Sequence, residues 1–99
     1  MDEYTVRAPA TLTGDTRGQF QSAALEGLRL LGDGASGKLV VDLSGTERVD
    51  SAGLSTLVHL QLRAAERRHT VCLRGASEEI RFLLLMTRLE ERFEIQPRA

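Results

Sequence analysis

The chain has 99 residues, 41% hydrophobic and 27% charged, which suits one compact globular domain over 1–99 and leaves no room for two cores. A formal net charge of −1 supplies no field to recruit nucleic acid or an anionic membrane. The single cysteine, Cys72, excludes an internal disulfide and a thiolate zinc cluster.

The start, Met1-Asp2-Glu3, is acidic and lacks the basic-then-apolar order of a secretion signal. No apolar stretch approaches the roughly 20 residues of a membrane span. A soluble cytoplasmic protein without membrane insertion is the expectation. From Val6 to Leu12 the apolar residues Val6, Ala8, Ala10 and Leu12 alternate, which predicts one strand, with Pro9 marking an edge or an interruption. From about Thr16 to Leu31 the period lengthens. Phe20, Ala24, Leu28 and Leu31 then share one helical face, and Gly18 and Gly27 weaken that helix by about 1 kcal/mol each.

Gly32 to Gly37 reads as a loop, and Lys38 to Leu43 (KLVVDL) as a strand buried on both faces. A helix is expected from about Ala52 to Arg68, with Leu54, Leu57, Val58, Ala64 and Ala65 facing inward. Thr70 to Arg74 is the next strand, and Cys72 within it reads as a buried, inert thiol. Ser77 looks like the N-cap of a helix running to about Thr87, and Phe93 to Gln96 forms a last short strand. This alternation is an α/β pattern: a small, mostly parallel sheet with right-handed crossovers, its three helices packed on one face.

Asp50-Ser51 falls between a buried strand and a helix. Ser51 is a favoured N-cap type, and the first-turn amides and helix dipole there would stabilise a negative group such as a phosphoryl. Gly53 has no side chain, so the backbone of a partner could approach closely. From the residues alone, a plain capping serine is the simpler reading, and a modified serine the sharper one.

The stretches Leu39-Val40-Val41-Asp42-Leu43 and Arg48-Val49-Asp50-Ser51-Ala52-Gly53-Leu54 resemble the signature of STAS domains, the family of sulfate transporters and anti-sigma-factor antagonists. The similarity continues through Leu57 to Ala65, Thr70 to Arg74 and the closing helix to Ile95. The resemblance implies that Ser51 is the position a kinase phosphorylates and that Asp50 is its motif neighbour. It implies that the unphosphorylated form binds an anti-sigma factor that is also the serine kinase, and that phosphate abolishes the complex. Asp50, Ser51, Ala52, Gly53 and Ser55 are the expected partner-binding set.

The family usually has two amino-terminal strands, whereas this chain reads as one, and Arg88-Leu89 stands where Gly-Leu usually precedes the last strand. With Leu57-Val58-His59-Leu60 added, the motif is also similar to the cytoplasmic STAS subunit of bacterial phospholipid-trafficking ABC transporters, which docks on the ATPase subunit.

An enzyme would need convergent groups. Neither His59 nor His69 has a second His or Cys at ligand spacing, so no metal site is expected, and an exposed or half-buried histidine is the reading for both. Gly-x-x-x-x-Gly-Lys and Gly-x-Ser-x-Gly are both absent, so no cofactor or nucleotide is implied. A hydrolase using Ser51 is the rival from another class. Arg63, Arg67 and Arg68 cluster without interleaved aromatics, which reads as a solvated helix end. The last helix is apolar nearly all round. Phe82, Leu85, Met86 and Leu89 form a second stripe, either a surface for a partner or a second copy, or one covered by the carboxy-terminal strand and tail.

Overall fold

The computed structural model describes residues 2–33 and 36–97. Two residues of the expected Gly32–Gly37 loop, 34 and 35, lie outside them. The elements are β1 (Glu3–Arg7), β2 (Thr11–Leu12), α1 (Arg17–Leu31), β3 (Lys38–Asp42), β4 (Arg48–Val49), α2 (Ser51–Glu66), β5 (Thr70–Arg74), α3 (Glu78–Met86), a 3₁₀ turn (Glu90–Arg92) and β6 (Glu94–Gln96). Strands β1, β3, β5 and β6 form the main sheet in that spatial order, and β2 pairs with β4 in a separate small ribbon. Every pairing is parallel.

Period-2 patterning separates the two faces of the sheet. Val6, Leu39, Val41, Val71 and Leu73 point to one side, where they join Phe20, Leu28, Leu57, Leu60, Ile80 and Leu84 from the three helices in a single core. All three helices therefore cover the same face. On the other side, Val40 and Cys72 are fully buried although they lie outside that core cluster. Around them stand Lys38, ion-paired to Glu94 at 2.8 Å, and Arg74, 3.8 Å from Glu3 and hydrogen-bonded to Gln96. Long side chains thus roof the helix-free face with their stems. Burial pushes the Cys72 thiol above its usual pKa. Glu94 beside Lys38 raises that amine, and hydrogen bonds from Ser44, then the nearby charges of Arg7 and Arg74, hold the Asp42 carboxyl below its ordinary value.

The expected single strand over Val6–Leu12 is in fact two. Pro9 lacks an amide, and after Ala8 donates to the Asp42 carbonyl the chain leaves the main sheet for the ribbon. Ala10 is accordingly exposed. The inward face of α2 is also rotated from expectation. Gly53, Thr56, Leu57, Leu60 and Ala64 are buried, Leu54 and Val58 are half-buried, and Ala65 is exposed. On α1, Gly27 is a requirement of packing, because a Cβ there would stand 2.5 Å from the ring of Tyr4.

Helices α2 and α3 both end in a Schellman turn. His69 and Arg68 donate to the carbonyls of Ala64 and Ala65, and Leu89 and Arg88 donate to those of Leu84 and Leu85. The left-handed residue of each turn is an arginine, Arg68 at φ 65° and Arg88 at φ 59°. His69 is buried, where an exposed or half-buried histidine was expected. Its Nδ1 accepts from the amide of Gly37, and its Nε2 contacts the carbonyl of Gly32, so the ring ties the two ends of the α1–β3 loop together.

Candidate functional site

The β2–β4 ribbon delivers the chain to the start of α2. Thr46 Oγ1 donates to the carbonyl of Pro9 at 2.8 Å, and the amides of Glu47 and Asp50 donate to the carbonyls of Ala10 and Leu12. The Asp50–Ser51 junction is thereby fixed against the Thr11–Leu12 segment. Sequence reasoning missed β4, since two residues carry no periodicity.

Asp50, not Ser51, is the N-cap. Its backbone is extended, and its carboxylate accepts from the amide of Gly53 at 2.9 Å. A carboxylate one residue earlier takes the capping role, and Ser51 becomes the first helical residue, with its side chain exposed. The hydroxyl has no hydrogen-bond partner among the described residues. First-turn amides of Ser51 and Ala52 have no acceptor within the helix, as in any helix start.

The other expected site residues divide. Asp50 is half-buried and committed to its cap, and Ala52 is half-buried beside Gly14. Ser55 is exposed one turn beyond Ser51. Gly53 is buried, and the backbone that approaches it is the chain's own: a Cβ there would stand 2.2 Å from the Leu12 carbonyl oxygen. Its expected role as a point of close approach for a partner is corrected on that ground.

From Ser51 an exposed line runs along α2 through Ser55 and His59 at intervals of four residues. Next to it Leu54, Val58, Leu62 and Leu89 line a shallow apolar groove. Ser51 and His59 are eight residues apart on one helix, about 12 Å along its axis. They do not form a nucleophile–base pair. No cluster of three or more His, Cys, Asp or Glu that could hold a metal occurs among the described residues.

On α3, Phe82, Leu85 and Met86 are exposed, and no described residue of the carboxy-terminal strand covers them. Leu89 is half-buried and packs on the core. Of the four residues of the expected second stripe, Phe82, Leu85 and Met86 are thus exposed and Leu89 is not.

Among the described residues no helix is long and apolar enough to cross a membrane. The family model described as "Mlab, STAS domain" matches residues 2–97. No curated protein matches the sequence significantly. Among solved structures, the chain is similar to a proposed anti-sigma factor antagonist from Thermotoga maritima, with a TM-score of 0.77 and 19% sequence identity. That superposition covers 96% of this chain and 80% of the other. The small parallel sheet with its three helices agrees with that match, and the chain belongs to the STAS domain family.

Proposed function

We propose that this chain, taken as one domain over 1–99, is a cytoplasmic regulatory module that works by docking on another protein and is not an enzyme. Its switch is Ser51. The observation that carries this reading is the division of labour at the start of α2: Asp50 caps the helix, so the exposed Ser51 hydroxyl is free for a partner or a kinase. The leading partner is an anti-sigma factor with serine kinase activity, seated over Ser51 and Ser55 and along the Leu54–Val58–Leu62 groove.

A phosphoryl group on Ser51 would carry nearly two negative charges at the positive end of α2, where the fold tolerates it. The same charge in a desolvated contact selected for a neutral hydroxyl would break the complex. Titrating wild type, Ser51→Ala and Ser51→Asp against the partner kinase tests the switch. Wild type and Ser51→Ala should bind alike, and Ser51→Asp should lose affinity at least tenfold. Equal affinity for all three would remove Ser51 from the mechanism.

A second reading rests on the resemblance of residues 48–54 and 57–60 to the STAS subunit of phospholipid-trafficking ABC transporters: a subunit docked on the ATPase. That reading expects stable co-purification with an ATPase and no phosphate on Ser51 by intact mass.

A further inference from the structure

Phe82 and Met86 stand one turn apart on α3 and expose 62% and 64% of their surface, with Leu85 beside them at 50%. Phe82 and Met86 form one wall of a groove between α3 and β4. Val49, Ile80 and Leu83, buried or half-buried, form its floor, and Glu47, Arg48 and Glu79 form its rim. None of these three charged side chains has an ion-pair partner among the described residues. A contiguous apolar patch with a polar rim marks an interaction surface.

The make-up of the patch indicates its occupant. A two-fold contact between identical chains requires one patch to hold both halves of every interaction. This patch holds projecting apolar side chains, Phe82 and Met86, which wall the groove whose floor is Val49, Ile80 and Leu83. It also holds a base, Arg48, beside two acids, Glu47 and Glu79. The groove along α2 has no such pairing, since its rim is Ser55 and His59. Charges on the helix-free sheet face are already engaged with one another, Lys38 with Glu94 and Arg74 with Glu3.

We infer that the α3–β4 patch is a self-association surface, at which Phe82 and Met86 of one chain pack against the same wall of a second copy and Arg48 meets the acids of the facing rim. Ser51 and Ser55 do not line the patch, so the inference stands apart from the switch.

Sedimentation equilibrium of the full chain, from about 1 μM to about 1 mM, brackets the affinity range of such a contact. The weight-average mass should rise from one chain toward two. Met86→Lys and Phe82→Ser should each weaken the dimer at least tenfold while far-ultraviolet circular dichroism and the melting temperature stay near wild type. Arg48→Glu should weaken it as well, and Arg48→Glu with Glu79→Arg should restore it, because the rim regains its original charge balance. Leu62→Ser, on the other groove, should leave it unchanged. A chain that remains monomeric at 1 mM, a dimer that survives Met86→Lys, or one abolished by Leu62→Ser would each overturn the inference.

Discussion

A Cβ at Gly53 would lie 2.2 Å from the carbonyl oxygen of Leu12 and 2.9 Å from Cγ1 of Val49. The first is a contact with backbone, which has no rotamer to escape into. Helix α2 therefore starts as close to the β2–β4 ribbon as its main chain permits, and Ser51 is presented from that seat. Gly53→Ala should force the helix start outward and cost about 1–3 kcal/mol in urea unfolding, as overpacking does. Partner affinity should fall with it. A neutral Gly53→Ala would show that the approach is looser than the geometry states.

Capping by Asp50 makes a second outcome specific. Asp50→Ala should cost about 1 kcal/mol of stability, the usual worth of an N-cap. Ser51→Ala should stay within about 0.5 kcal/mol of wild type, since the side chain is exposed and bonds nothing described. Chemical denaturation of the pair checks this, and the reverse order would make Ser51 the cap.

Arg88 stands in the left-handed region at φ 59°, in the place where a glycine commonly closes a Schellman turn. An L side chain there costs about 1–2 kcal/mol, part of which glycine returns as unfolded-state entropy. Arg88→Gly should therefore stabilise the fold by up to about 1 kcal/mol, seen as a higher urea midpoint at unchanged slope.

Leu57 and Val41 are fully buried, one on α2 and the other on β3, within the same core. Leu57→Ala should cost about 2–5 kcal/mol through lost burial and the cavity left behind. Val41→Ala removes fewer atoms and should cost less. Thermal and urea unfolding read both directly.

Asp42 predicts an acid limb. Hydrogen bonds from Ser44, then the charges of Arg7 and Arg74, lower its pKa in the folded state. The folded chain thus holds the ionised form more firmly than the unfolded chain, whose Asp titrates near about 3.9. The resulting stability is present above that value and is lost as pH falls through the lower folded pKa. Unfolding curves between about pH 2 and pH 5 should show a shallower acid loss in Asp42→Asn than in wild type.

Much of the molecule was legible in the chain alone. Strands β3 and β5 have the apolar runs that a sheet buried on both faces demands, and they lie where KLVVD and TVCLR predict. Ser77 caps α3 as its residue type and the acids after it indicate. These features follow from local period and local chemistry, so sequence suffices to find them. The Asp50-Ser51 pair was likewise legible as a helix start, although the short strand before it was not.

What only the tertiary structure decided depends on contacts between distant segments. Ribbon β2–β4 joins Thr11–Leu12 to Arg48–Val49; the Val6–Leu12 alternation does not separate β2 from β1, and Arg48–Val49 has no strand signal of its own. Whether Asp50 or Ser51 caps α2 turns on a one-residue rotation of backbone, since both types suit the position and only the seat against Leu12 selects between them. Gly53 looked like an opening for a partner until Leu12 was found to occupy the space. His69 offered no sign of burial, because the groups that satisfy its ring, Gly32 and Gly37, are backbone atoms more than thirty positions away. Periodicity reports which face of an element is apolar. Which backbone it meets there is settled only when the chain closes on itself.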